Sequence, residues 1–594
     1  MYQVKLYVDG SQVGTAVNLA TTTATSVSLG NSFIIPAGTT KTLEVKSDIK
    51  DSTSSSINKT NNTSIAFQLG NVKSCDYTKQ TSGGVDTTGA ISGNTLTVRT
   101  GTVGVTKNVG LSDRAAAIPT GVVNAPEALL ASFIITAGSG EAVDVTQITL
   151  QDASAVTQVG DNFQNLLIKN GSTQIGTTIA NPSTSGTAAT YSFSPSPAIR
   201  INAGAQYQVD VYADIKGTVQ DSATTLSPVI KVDSVTATGV TTNSDASATS
   251  QALSLQNGYI AAAGTLTITT DSDTPVADQL LMGSTDNPVA KFKLTASTAE
   301  NIEVSEIIVG DTVSSAATGT ITNLKLYDGD TAISGPVQFS SSATTTYALA
   351  RFPVSLTINK GANKVLTVKA DVNTAGAGAT SASTHTFAML VINGIASTES
   401  VTARGVSSGT SLTVAGANLF YGAATTVDQT GSEFKAYKTK IIVAWASDTP
   451  TGASVGSASQ LIGKINVTNV ANSGAYSSTV ELMNVTISST INNTAVRALK
   501  IYKDSVSGTA LATTNYVAGT SWGASAITDA NFTDTEIASG ATKTFFLVLD
   551  TSDAANTKAL SINIAAAQIE WTDGVTASIT DLSSLPLLSK TFTY

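Results

Sequence analysis

One strand-like phrase occurs four times in this chain and sets the scale on which it can fold. AGTTKTLEVKSDI (37–49) returns as AGAQYQVDVYADI (203–215), KGANKVLTVKADV (360–372) and SGATKTFFLVLDT (539–551). Each copy places a glycine (Gly38, Gly204, Gly361, Gly540) ten residues ahead of an aspartate (Asp48, Asp214, Asp371, Asp550). Between them apolar residues alternate, as Leu43 and Val45, Val209 and Val211, Leu366 and Val368, Phe545 and Leu547. Period two after a glycine turn predicts a strand with one buried face. The aspartate falls on the solvent parity at the strand's end, where capping a turn is its expected work.

Other phrases recur around this one. Upstream lies VKLYVDG (4–10), repeated as LLIKNG (166–171), LKLYDG (324–329) and LKIYKDS (499–505). The Asp9-Gly10, Asn170-Gly171 and Asp328-Gly329 pairs predict tight hairpins, because these residues tolerate positive φ. Before the hairpin, ASFIITAGSGEAVDVTQITLQD (131–152) matches AKFKLTASTAENIEVSEIIVGD (290–311) without a gap, and 463–488 is a looser version. Each of these reads as two alternating strands joined by a polar turn. Copies open on NTLTVRT (94–100), GTLTITTDSDTP (264–275) and KIIVAWASDTP (440–450), and close on 227–239, 387–397 and 561–574.

The repeat, measured glycine to glycine, is 157 to 179 residues. A repeat with seven or more strand signals predicts an all-β chain of tandem Ig-like β-sandwich modules, about three and a half copies in an extended array. The domains expected are 1–92 (incomplete), 93–262, 263–435 and 436–594. The first copy begins at its hairpin and lacks the 60 to 70 residues that precede it elsewhere. A half sandwich exposes edges and core. Either the chain is part of a longer polypeptide, or a neighbouring subunit supplies the rest; one donated strand would be too little, which favours the former.

Composition agrees with strands. Charged residues are 12% of the 594, about half the usual ~25%. Thr, Ser and Val take their place, and these favour strands over long helices. The 41% apolar content and the regular alternation argue against disorder. A net charge of −10 with no basic cluster excludes nucleic acid as a partner. No apolar run approaches the ~20 residues needed to span a bilayer, and MYQVKLYVDG has no signal-peptide pattern. Cys75 is the single cysteine, so no internal disulfide can form.

Catalytic motifs are scarce. His385 is the sole histidine and is expected to face solvent or a loop, so Cys/His and Ser/His/Asp nucleophile systems and zinc sites have little support. Phosphate-cradling glycine motifs are missing. A hydrolase using only carboxylates would need aromatic platforms, and the three tryptophans (Trp445, Trp522, Trp571) are scattered. Calcium is the cofactor to consider, with Asp271, Asp273, Asp328, Asp330, Asp371 and Asp448 as candidate ligands at strand ends and turns; turn-forming aspartates are the plainer reading. Sequons stand at Asn58, Asn61, Asn62, Asn170, Asn466, Asn484, Asn492 and Asn531.

The frame LKLYDG…tLtVkADv on an acidic Thr/Ser/Ala/Val-rich background resembles large repeat proteins of prokaryotic surfaces, in particular the surface-layer-like proteins of small-genome, largely uncultivated bacteria. The resemblance implies a secreted, non-catalytic structural protein at the cell surface, a lattice or filament subunit whose partners are copies of itself and, in one version, cell-envelope glycans. It carries over no site residues. The alternative is an adhesin stalk or glycan-binding module, for which the fourth copy, holding all three tryptophans, is the expected seat.

Overall fold

The computed structural model of the chain describes residues 2–18, 25, 27, 29, 34–36, 38–48, 63–69, 73–75, 82–86, 91–98, 100–115, 118–153, 158–185, 188–220, 224–313, 319–340, 347–391, 399–422, 427–491, 496–517 and 535–594. Nearly all described structure is strand; a four-residue helical turn (Val159–Asn162) and a 3-10 turn (Ala375–Ala377) are the helical exceptions among the described residues. The chain divides into two compact units, Met1–Ala262 and Ala263–Tyr594.

The fourfold phrase forms a strand in every copy: Leu43–Asp48, Gln206–Ile215, Asn363–Val372 and Thr542–Leu549. In the last three copies this Gly/Asp strand is the hub of one sheet; in the first, among the described residues, it pairs with the hairpin strand alone. On one side it pairs with the outgoing hairpin strand (Tyr2–Val8, Phe163–Asn170, Ile321–Asp328, Val496–Lys503). On the other, in the last three copies, it pairs with a long strand (Ala128–Ala137, Asn287–Ala296, Gln460–Val470). The long strand in turn pairs with the opening strand of its copy: Val103–Lys107, Leu266–Thr270 or Lys440–Trp445. The first opening strand is thus GTVGVTK rather than NTLTVRT. Residues 94–98 of the latter lie in Ile91–Val98, which pairs with Thr63–Leu69. Val143–Asp152 and Ile302–Thr312 begin the facing sheets and pair with the closing strands Ile230–Gly239 and Val401–Gly405.

Alternation along the hub strand sets the core. Val209, Val211, Leu366, Val368, Phe545 and Leu547 are all buried. In the second unit one apolar cluster runs from Leu266 to Ala436 and another from Tyr437 to Phe592, centred on Phe292, Phe352 and Phe387 in the one and on Phe545 and Trp571 in the other. The hairpin tips differ by one residue. Val8 faces Ser11 across Asp9-Gly10, both at positive φ. Asn170 instead faces Thr173 and Asp328 faces Thr331, so the loops are Gly171-Ser172 and Gly329-Asp330 with only the glycine left-handed. A glycine at the first central position is the type II′ solution to the same two-residue loop.

Two carboxylate staples recur. In the hub strand, Asp214 accepts the Glu127 N–H (2.7 Å) and the Asn165 amide (2.7 Å). Asp371 accepts the Asp286 N–H (2.8 Å) and the Asn323 amide (3.0 Å). All four partners sit at positive φ, and Asn165 and Asn323 lie within bulges of the hairpin strand. The aspartate therefore holds two left-handed, non-glycine residues, each costing on the order of 1 kcal/mol or more, on either side of the sheet's central strand. Its solvent parity is overridden by these donors, and Asp371 is buried. The fourth copy has Ala498 where the asparagine stood, no bulge, and an Asp550 that caps its own turn through Ser552.

The second staple is a glutamate in the turn after the long strand. Glu300 accepts the N–H groups of Gly264 (2.7 Å), Ser407 (2.8 Å) and Ser408 (2.8 Å) and the Ser408 hydroxyl (2.7 Å). Glu141 does the same for Gly101 (2.9 Å), Thr241 (2.8 Å), Thr242 (3.0 Å) and the Thr242 hydroxyl (2.6 Å). Each ties the module's first residues to a late hairpin more than a hundred positions away. Glycines flank the carboxylate closely: a Cβ on Gly405 or Gly239 would lie 2.2 or 2.3 Å from its Oε1. Burial pushes the Glu141 carboxyl up, but the bonds from Thr242, Gly101 and Thr241 more than offset this and leave it below its ordinary value.

Near each module's end another arrangement repeats. A segment between opening and long strands runs parallel to the last strand: Gly121–Val122 beside Ile260 and Ala261, Asp278–Leu281 beside 434–437, and Gly452–Ala453 beside Phe592 and Thr593.

Glu300→Ala is expected to lower stability by about 2–4 kcal/mol in chemical denaturation, since two buried N–H groups and a half-buried one lose their acceptor. Glu141→Ala should behave alike. Because the folded Glu141 carboxyl lies below its unfolded value, its contribution is present above the unfolded value and lost as pH falls through the folded one. The gap between parent and Glu141→Ala should then close on acidification below about pH 4.

Candidate functional site

His385 is not at the surface. It lies on the strand Ser383–Met389 with only 1% of its area exposed, and its neighbours of the same parity, Ser383, Phe387 and Met389, are buried too. Phe387 and Met389 belong to the core that the strand faces, and their parity turns the imidazole inward as well.

Inside, His385 joins two groups that the sequence analysis did not single out. Its Nδ1 lies 2.7 Å from Asp311 Oδ2 and its Nε2 lies 2.9 Å from Ser383 Oγ. Asp311 Oδ1 accepts the Thr386 N–H (3.0 Å), and Ser383 Oγ also reaches Thr320 Oγ1 (3.3 Å). The order Ser, His, Asp matches a charge-relay row, in which the carboxylate orients the ring and the ring contacts the hydroxyl. Here the hydroxyl, the ring and the carboxylate are all buried.

Burial pushes the Asp311 carboxyl up from its ordinary value, while the His385 hydrogen bond and charge pull it part of the way back. Asp152 occupies the same place in the preceding sandwich. It too is buried and raised, with Tyr191 (3.0 Å) in the histidine's role and the Val159 N–H (3.3 Å) on the same oxygen. The gap-free match of 131–152 to 290–311 pairs Glu141 with Glu300 and Asp152 with Asp311. That correspondence was the sequence signal for all four buried acids.

A second polar assembly joins the two sandwiches of the second unit. Lys440 grips both oxygens of Asp278 (2.6 and 2.7 Å), and Asp581 accepts Lys435 (2.8 Å) and the Tyr437 hydroxyl (3.0 Å). Asp573 accepts the Ser381 hydroxyl (2.6 Å) and the Lys438 N–H (3.0 Å). Burial raises the Asp278 carboxyl, but Lys440 brings it below the ordinary range; burial and then Asp581 drive the Tyr437 phenol up. Beside these groups is a cleft of about 240 Å³ lined by Asp278, Gln279, Glu433, Lys435, Asp581 and Ser583.

The calcium candidates do not converge. Asp271 accepts the Asp273 N–H (3.0 Å) in a local turn. Asp328 pairs with Lys364 (2.6 Å), as Asp9 pairs with Lys41 in the first copy, and Asp330 sits in the same exposed hairpin loop. Asp371 is committed to the hub staple, and Asp448 pairs with Lys464. Among the described residues no group of three or more His, Cys, Asp or Glu could hold a metal ion. Trp571 is fully buried, and the Trp445 indole donates to the Leu588 carbonyl (2.7 Å). Trp522, the Cys75 side chain and the sequons at Asn58, Asn61, Asn62, Asn492 and Asn531 lie outside the described residues. Of the others, the Asn170 amide donates to the Gln208 carbonyl (2.7 Å) and Asn466 accepts from Thr544 (2.9 Å). Among the described residues no helix is long and apolar enough to cross a membrane.

No protein-family model matches the chain, and no curated protein does. Solved structures give loose superpositions. The C-terminal domain of the Streptococcus agalactiae AgI/II polypeptide BspA aligns at 8% identity and a TM-score of 0.14, covering 55% of this chain and 100% of that one. The Enterococcus faecalis MSCRAMM ACE aligns at 10% and 0.12, covering 56% and 96%. Salmonella alpha-2-macroglobulin reacted with methylamine aligns at 9% and 0.15, covering 100% and 37%. Superpositions this loose carry no functional argument, which rests on the chain's own residues.

His385→Ala should leave the burial of Asp311 opposed only by the Thr386 N–H and its carboxyl higher still. An acid raised in the fold contributes stability below its unfolded value and loses it as pH rises through the folded one. The variant should lose about 2–4 kcal/mol at neutral pH and should destabilise more steeply than the parent as pH rises from about 4. Denaturation series at several pH values check both, and parallel curves would refute the coupling. Melting the chain in calcium and in chelator should give midpoints within about a degree of each other, since a cation bound only by the folded state would raise the midpoint.

Proposed function

We propose that the protein is a non-catalytic, extracellular structural protein, a subunit of a surface layer or surface filament built from repeated β-sandwiches. The observation that carries this reading is where the chain puts its buried polar groups. In so lightly charged a sequence, Glu141, Glu300, Asp214 and Asp371 hold strands in place. Asp278, Asp573 and Asp581 tie one sandwich to the next. The Ser383–His385–Asp311 row fits the same pattern, because a buried serine has no room for a substrate carbonyl and its leaving group.

A second reading, an adhesin stalk or glycan-binding surface module, draws on the cleft between the last two sandwiches. Carboxylates, an amide and a hydroxyl line it, which suits sugar hydroxyls. Its weakness is the lack of an aromatic floor, since Trp571 lies in the core.

Electron microscopy of the purified full chain, alone and with cell-envelope polysaccharide, tests the two together. Ordered sheets or filaments of the chain alone are the expected result. Particles that never associate at any concentration would refute the structural reading, and if they bind the polysaccharide the second reading takes its place.

A further inference from the structure

Charge is placed unevenly on the outer faces of the sheets in the second unit. In the third sandwich the strands Asn287–Ala296, Asn363–Val372 and Ile321–Asp328 turn Phe292, Leu294, Val368 and Leu326 into the core. The opposite parity puts Lys291, Lys293, Lys325 and Lys369 on the solvent side of that sheet. No basic run in the sequence announces this face; strand pairing assembles it. Lys325 stands directly across from Lys369, a like-charge opposition that costs stability. Asp286 answers Lys325 (2.7 Å) and Lys369 lies over the Tyr327 ring (4.1 Å), while Lys291 and Lys293 make no ion pair among the described residues. The fold does not require these lysines. In the second sandwich the same four places hold Ser132, Ile134, Leu167 and Tyr212, none of them charged.

The fourth sandwich carries a face of the opposite sign. Its three-stranded sheet of Glu536–Ile537, Ser478–Met483 and Ile569–Thr572 has one glutamate on each strand: Glu536, Glu481 and Glu570. Ile537, Val480, Met483, Ile569 and Trp571 of the same strands fill the core. The glutamates are left half-buried or exposed, with no ion pair among the described residues. Glu481 accepts the Ser578 N–H (2.7 Å).

We propose that the lysine face of the third sandwich docks the glutamate face of the fourth sandwich of a second copy of this chain. The two faces are complementary in charge, which fixes partner and register in an interface, and in a chain of net charge −10 a lysine face this rich needs an acidic partner to account for it. Each copy presents both faces, so the contact is head-to-tail and propagates unless the rotation closes it into a ring. This deepens the assembly reading and rests on it, naming the surface through which copies meet.

The test uses the full chain, with self-association read by sedimentation and electron microscopy. Association of the parent should be strongest in dilute buffer and weaken towards about 1 M salt, where charges are screened beyond ~3 Å. Lys291→Glu with Lys293→Glu, and separately Glu536→Lys with Glu570→Lys, should each weaken association on the order of tenfold or more while denaturation midpoints stay at the parent's. Should a reversal lower the midpoint, the glutamine substitutions Lys291→Gln and Lys293→Gln or Glu536→Gln and Glu570→Gln are read in its place. Mixing the two charge-reversed variants one to one should restore association, because their faces are complementary again. The proposal is overturned if either variant associates like the parent or if the mixture stays dissociated. Loss in the lysine variant alone, with assembly that depends on an added anionic polysaccharide, would assign the face to that polymer and overturn the contact between copies. Sheets or filaments formed equally by all variants would leave the structural reading standing and sink only this contact, whereas a parent that never associates sinks both.

Discussion

The sandwiches depend on one central strand being held from both sides. The hub strand must pair with the hairpin on one edge and the long strand on the other, and in the second and third copies both neighbours reach it through left-handed residues that their own backbones resist. Asp214 and Asp371 resolve that conflict by accepting one bond from each side. A low-charge chain can support such staples because each carboxylate is surrounded by donors and faces few competing cations. The fourth copy shows the same fold solved otherwise: alanine in place of asparagine removes the bulge, and the aspartate returns to capping its own turn.

Strand identity was largely legible in the sequence because it is local. Hairpin tips, alternation and the ten-residue spacing from glycine to aspartate are all read within a dozen residues, and each is a strand in the structure. The staples were not legible, because they join residues 36 to 108 positions apart: nothing near Glu141 says that Thr241 and Thr242 will arrive above it. The gap-free match of 131–152 to 290–311 held the clue, since two acids kept at the same places, one in the turn and one at the end of the apolar strand that follows, imply a common structural task.

His385 was misplaced for a different reason. Its scarcity drew attention to its chemistry and away from its parity, although Phe387 and Met389 share its face and the alternation rule already placed it inside. The calcium candidates were gathered by residue type at turns. Their partners, Lys364 for Asp328 and Lys464 for Asp448, lie on neighbouring strands that only pairing brings near. The Asp9–Lys41 pair of the first copy shows that such cross-strand bonds belong to the repeat.

The parallel pairs near the module ends bear on how this chain would carry load. In all three later sandwiches the last strand lies alongside a segment from near the module's beginning, pointing the same way. When the two ends of such a module are drawn apart, neighbouring strands are dragged past each other lengthwise. Their bonds must then break together as a row and cannot open one at a time from an end. Resistance of this kind is a matter of rate, governed by the barrier to rupture more than by equilibrium stability. A tether made of such modules would hold its length under a tug that an unzipping hairpin could not withstand.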